Sequence, residues 1–155
     1  DGDTKLRTAS SIIKRNLKTY LSEYRMINDA INIKDAFIIN IGVIFNIVVR
    51  PNYNNNETLT KCIVVLTEYF NIKNWQINQP IILGDLYLLL DRVEGVQTVK
   101  NISIDNLAGT NLGYSEYAYD VIGATIDDVV YPSIDPMVFE VKFPNTDIKG
   151  RVVPL

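Results

Sequence analysis

Between Ile77 and Ile104 the chain reads INQPIILGDLYLLLDRVEGVQTVKNISI, a short apolar helix that runs into a β-strand across one glycine. Leu83, Leu86, Leu89, Leu90 and Val93 recur at helical spacing on one side, and Asp85, Leu88, Asp91 and Arg92 occupy the other. Gly95 stands where a left-handed residue would end the helix, because a residue without Cβ adopts that conformation at little cost. The strand Val96–Ile104 should follow. Its alternation fails between Val99 and Ile102, which predicts a bulge. This is a packing unit with a hard stop, and its apolar side holds no residue suited to catalysis. Leu88, an apolar residue set among charges, is a candidate for contact with another chain.

The clearest strand lies over residues 36–50. Ile39, Ile41, Val43, Phe45, Ile47 and Val49 project to one face, which is wholly apolar; Ile38, Asn40, Gly42, Ile44, Asn46, Val48 and Arg50 make a mixed opposite face. Such a strand belongs well inside a sheet, and Pro51 with residues 52–56 ends it. A second helix follows, with Asn56 as its expected N-cap and Glu57 in its first turn. Its stripe is Leu59, Cys62, Ile63, Leu66, Tyr69 and Phe70. Cys62 within that stripe reads as a buried thiol. Trp75, the only tryptophan, reads as a lid over the helix junction.

Residues 6–25 read as a leading amphipathic helix, with Leu6, Ala9, Ile13, Leu17, Tyr20, Leu21 and Tyr24 on one face and Arg7, Lys14, Arg15, Lys18 and Arg25 on another. Two tyrosines and Ser22-Glu23 make a poor membrane-surface helix. The expected arrangement is packing on the chain's own domain with a solvated cationic face; the alternative is a basic helix that docks on an acidic partner or a membrane surface.

Beyond Asp105 the pattern changes. Residues 106–114 have loop chemistry, and Tyr114, Tyr117 and Tyr119 crowd the next short strand. Residues 129–136 (VVYPSIDP) read as an extended connector fixed by Pro132 and Pro136. Met137, Phe139, Val141 and Phe143 alternate with Val138, Glu140 and Lys142, another strand. Residues 144–155 show no periodicity and read as an arm that orders only against something else. The fold class is therefore α+β: a strand–helix–helix–strand core, a leading amphipathic helix and an extended β-rich C-terminal extension. The divisions are residues 1–30 (leading helix and linker), 31–105 (core) and 106–155 (Tyr/Pro-rich extension and arm), together one structural domain of a longer protein. The exposed edge of the 137–143 strand and the arm suit addition to a neighbour's sheet. The candidate subunit interface is accordingly Leu88, Tyr114, Tyr117, Tyr119, Tyr131, Met137, Phe139, Val141 and Phe143.

Composition argues against chemistry. The chain has no histidine, which removes the usual general base near neutral pH and the commonest metal ligand. One cysteine cannot form an internal disulfide and fits a reducing compartment or an intracellularly assembled particle. No catalytic residue, cofactor or metal site is expected. Asp127, Asp128 and Asp135 could serve glycoside hydrolysis only if the backbone turned, since neighbours in an extended segment point opposite ways. The acidic spacing between Asp120 and Asp135 lacks the order of a calcium loop. A net charge of −3, with tyrosines set among acids, disfavours nucleic acid, and no apolar run reaches membrane length.

Several segments carry a resemblance. Residues 20–26 (YLSEYRM), 33–36 (IKDA), the strand 41–49 and the helix–turn 86–99 with GVQTV at 95–99 look like the C-terminal part of phage baseplate proteins of the baseplate-J-like class. More specifically, GYSEYAYD at 113–120, YPSIDP at 131–136 and the stretch from FEV at 139–141 to DIKGRV at 147–152 resemble the wedge protein of T-even-type contractile-tail phages. That resemblance implies a structural, non-enzymatic protein of the virion's tail baseplate, assembled in the host cytoplasm. It would form homodimers within a wedge, contact other wedge subunits, and link into a ring that rearranges on sheath contraction. The resemblance supplies no catalytic motif. Read from the residues alone, a receptor- or glycan-binding module with Tyr114, Tyr117, Tyr119 and Tyr131 as platform is the other class.

Overall fold

A thirteen-residue strand with one wholly apolar face forms the axis of the molecule. In the computed structural model, which describes residues 5–26 and 30–155, the elements are α1 (Ser11–Ser22), β1 (Phe37–Val49), α2 (Asn55–Tyr69), β2 (Ile81–Ile82), α3 (Leu83–Asp91), β3 (Val96–Asn106), β4 (Thr125–Ile126), β5 (Val129–Val130), β6 (Met137–Glu140), α4 (Pro144–Asp147) and β7 (Ile148–Val152). The architecture is α+β, as the patterning predicts. Residues 27–29 of the expected linker and residues 1–4 lie outside the described residues.

β1 is central. It pairs antiparallel with β3 on one side. On the other side its first part pairs parallel with β6, from Phe37↔Met137 to Asn40↔Glu140, and its later part pairs parallel with β7, from Val43↔Ile148 to Ile47↔Val152. One edge of β1 is thus served by two consecutive short strands joined through α4. Gly42 sits at the changeover, where an added Cβ would lie 3.1 Å from the Asp147 carbonyl oxygen. β3 carries the bulge expected between Val99 and Ile102: pairing passes from Asn46↔Asn101 to Ile47↔Val99 and skips Lys100. Just past the bulge, the Ile102 amide donates to the Tyr87 hydroxyl at 3.0 Å.

The apolar face of β1 is the core. Ile39, Ile41, Val43, Phe45 and Ile47 are fully buried against Cys62 and Leu66 of α2, Leu86 and Leu90 of α3, and Val96. Burial pushes the Cys62 thiol up to about 11, the environment of a packing residue rather than a nucleophile. Trp75 closes this layer, its ring 5.6 Å from Tyr69 and 5.4 Å from Phe70. Gly95 has φ +96°, and a Cβ there would meet Thr58 Oγ1 at 2.7 Å, so conformation and space both require glycine.

Three local expectations change. The α2 cap is Asn54, not Asn56: Asn54 is extended, and its Oδ1 accepts from the amides of Asn56 at 2.9 Å and Glu57 at 3.3 Å. Any of the neighbouring asparagines has the right chemistry, and spacing to the first free amides decides. Asp127 and Asp128 do not lie in an extended segment. Both have positive φ, 49° and 61°, and form the two-residue turn of the β4–β5 hairpin. That turn meets α3, whose Leu83 amide donates to the Asp128 carbonyl at 2.9 Å in place of a side-chain cap.

The third correction is the largest. Residues 137–153 are no free arm but part of the chain's own sheet. β6 and β7 occupy the edge of β1 within the same chain, and the Val153 amide continues the ladder to Ile47 O at 2.9 Å. The extension pairs with β1 rather than with β3, the strand delivered by Gly95.

Candidate subunit interface

The sequence-derived candidates divide sharply once placed. Met137, Phe139, Val141 and Tyr119 belong to the chain's own core. Met137 and Phe139 are buried because β6 is covered on both faces, so they are not surface residues and drop out as interface candidates. Phe143 and Tyr114 are half-buried and pack edge-on at 5.5 Å. Tyr117 packs its ring on Phe37 at 5.0 Å, and Tyr119 on Phe139 at 5.6 Å. The four tyrosines therefore do not form one stacking platform, because three of them are each spent on a different phenylalanine and Tyr119 is buried. Leu88 and Tyr131 remain well exposed, at 51% and 47%.

Most of these aromatic residues act as fasteners for the C-terminal half. The Tyr114 hydroxyl donates to Asp147 Oδ1 at 2.6 Å, and the Phe143 amide donates to Asp147 Oδ2 at 2.8 Å. Asp147, itself only 3% exposed, so ties the β6–β7 turn to the 113–119 segment. The Tyr119 hydroxyl donates to the Tyr131 carbonyl and accepts from the Ser133 amide at 3.1 Å. Asn78 donates from Nδ2 to Asp135 at 2.7 Å and accepts the Met137 amide at 2.9 Å.

A second buried polar node lies under the mixed face of β1. Asn40 Nδ2 donates to Glu140 Oε2 at 2.8 Å, and Glu140 Oε1 accepts the Leu6 amide at 2.6 Å. Asn40 Oδ1 accepts the Ser115 amide at 2.7 Å. Two side chains thus join β1, β6, the 115 segment and the N-terminal stretch. Burial of a polar group is tolerated only when it is hydrogen-bonded, and this node meets that condition.

The hydrogen bond from Tyr114 to Asp147, with burial and the carboxylate's charge, pushes the Tyr114 hydroxyl from its ordinary 10.0 up to about 12. A raised folded-state value means this contribution is fully present below pH 10 and is lost as pH rises toward 12. Tyr114→Phe should remove that portion of the alkaline loss. It should also cost about 1–3 kcal/mol at neutral pH, because buried Asp147 loses a donor. Urea unfolding of both chains at neutral pH and across this window measures the two effects.

α1 is where expectation and structure diverge most for function. Ser10 caps it, accepting the Ile13 amide at 3.3 Å, and its base is fixed by the Lys14–Asp35 ion pair. That pair holds the Asp35 carboxyl below its usual range. Yet no residue of α1 is buried. The expected packing on its own domain does not occur. Ile13, Leu17 and Tyr20 are 59%, 43% and 58% exposed, and Tyr24 continues the stripe beyond the helix.

The outer surface of the α2–α3 layer carries an open groove of about 550 Å³, lined by Val64, Val65, Leu89 and Val93 with Thr60, Lys61, Arg92 and Glu94 at its sides. Sequence patterning assigns α2 a single inward stripe. The available signal was the adjacent Val64-Val65, since Val64 falls outside that stripe and is 60% exposed. Among the described residues, no three acidic or cysteine side chains are placed to hold a metal ion, and no helix is long and apolar enough to cross a membrane. No protein-family model matches the chain, and no curated protein is significantly similar to it.

Proposed function

We propose that the chain is a non-enzymatic assembly module of a contractile-tail phage baseplate wedge, working through contacts with further copies of itself and with other wedge subunits in the virion. The observation that carries this reading is the amphipathic helix α1, anchored at its base and exposed along its apolar stripe. Contiguous exposed apolar surface of that kind marks a contact site in a soluble protein. The resemblance of residues 113–120, 131–136 and 139–152 to T-even-type wedge proteins supplies the biological setting. In this chain those residues fasten the C-terminal half to β1, which suits a rigid building block.

The test is the mass of the purified chain across a dilution series without added ligand. A mass that rises with concentration is expected. A strict monomer up to about 1 mM, the limit of useful weak affinity, would contradict self-assembly.

A further inference from the structure

From two uncovered apolar surfaces of opposite charge we infer a specific contact: α1 of one copy docks on the outer face of the β2–β5–β4 sheet of a second copy. This inference rests on the assembly reading and names the surfaces it uses. The outer face of that small sheet follows from its register. Val129 of β5 lies directly opposite both Ile82 of β2 and Ile126 of β4, and directly opposite residues of an antiparallel pair share a face. Ile82, Val129 and Ile126 therefore form one apolar row across three strands, while Ile81 and Val130 are buried on the inner face. Ile82 and Ile126 are 41% and 60% exposed, and Ile122, in the turn before β4, is 87% exposed. An apolar sheet face left uncovered calls for a further layer packed on it. Three strands measure about 10 Å from first to third, close to the width of one helix with its side chains. α1 presents Ile13, Leu17 and Tyr20 at helical spacing, likewise uncovered.

Charge decides the occupant. The small sheet and its surroundings in sequence come from residues 74–91 and 101–141, and neither stretch contains a lysine or an arginine. Asp127 and Asp128 form the β4–β5 turn, Asp120 opens the turn before β4, and Asp85 lies in the first turn of α3 just after β2. All four are exposed. α1 has the opposite sign: within its span it carries Lys14, Arg15 and Lys18 and no acid. Lys14 is held by Asp35, and Arg15 and Lys18 are exposed. Two α1 helices facing each other would set like charges together. The α2–α3 groove, whose charged lining is Lys61, Arg92 and Glu94, offers a basic helix no net attraction. Complementary fields select the partner and orientation more than they add affinity. The contact is heterologous, helix to sheet, and can propagate from copy to copy as ring-forming interfaces do.

Two surface variants separate the two halves of the contact. Leu17→Glu spoils the helix and leaves the sheet face, while Ile126→Lys spoils the sheet face and leaves the helix. Both positions are exposed, so far-ultraviolet circular dichroism should match the unsubstituted chain. Each variant alone should lose self-association by at least about tenfold in dissociation constant. Mixed in equal amounts, they should form a complex of two chains, because one still supplies a helix and the other a sheet face. That recovery also shows that both variants are folded. Association of the unsubstituted chain should weaken as salt rises from about 0.05 M to about 0.5 M, since exposed charges are then screened. If Ile126→Lys alone associates like the original, if the mixture stays monomeric, or if salt leaves association unchanged, the helix-on-sheet contact is wrong while the assembly reading stands. If the unsubstituted chain is itself monomeric throughout, or gathers only on vesicles rich in phosphatidylserine, both fall.

Discussion

Phe45→Ala is expected to destabilise the chain by about 3–5 kcal/mol, the range for removing a large aromatic side chain from a closed core. Phe45 is fully buried at the middle of β1, where the strand has neighbours on both sides: Ile102 of β3 and Gly150 of β7. Its ring occupies the space over Gly150 and against Leu59 of α2. Truncation therefore removes apolar contacts and opens a void that β1, held in two ladders, cannot close by shifting. A native stability of ~5–15 kcal/mol leaves little beyond such a loss. Chemical unfolding should show a much lower midpoint with an unchanged slope, and a change below about 1 kcal/mol would mean that the ring is not in the core.

Gly150→Val should also destabilise the chain, for the opposite reason. A Cβ at Gly150 would lie 2.7 Å from Phe45 Cε2 and 2.8 Å from Leu59 Cδ2, and valine adds two further methyl groups. Overpacking of this sort costs about 1–3 kcal/mol, and occasionally more when backbone has to move. The same contact predicts coupling. Gly150→Ala should destabilise the original chain and do so less in a Phe45→Leu background, where the ring no longer fills the space. A double-mutant cycle reads that difference, and strict additivity would show that β7 does not lie against Phe45.

These two residues also explain where sequence reading stopped. The alternation of β1 was legible because every inward position from Ile39 to Ile47 is apolar and large. The stop at Gly95 and the bulge near Lys100 were legible because each breaks a strong local pattern. In β7 the sequence Ile148-Lys149-Gly150-Arg151-Val152 also alternates, with Lys149 and Arg151 outward. It escapes notice because its central inward residue has no side chain. That missing side chain is supplied by Phe45 from the neighbouring strand, a long-range substitution that no local window contains. The supposed arm is for this reason part of the central sheet.

Which interface candidates lie at the surface follows from one principle. Alternation in Met137–Phe143 identified a strand correctly but could not tell whether its partner lay in the same chain or another. The parallel register with β1 is a tertiary fact. Leu88 stood out because charges surround it on one helical face, a local signal, and it is exposed. The periodicity of α1 was equally plain, but whether its stripe is covered depends on where the helix points after its Lys14–Asp35 anchor. The buried node of Asn40 and Glu140 gave no sequence signal, as the two are a hundred positions apart and each looks like a solvent-facing strand residue.

On the proposed assembly role, the C-terminal half is locked to β1 within one chain and α1 is the element that finds a partner. Amide hydrogen exchange measured at low and high protein concentration tests both parts at once, since protection reports local opening segment by segment. The expected result is that amides of β7 are protected together with those of β1 at every concentration. Amides of α1 should exchange rapidly in the dilute sample and become protected in the concentrated one. Rapid exchange in β7 at low concentration, or protection of α1 that does not depend on concentration, would contradict it.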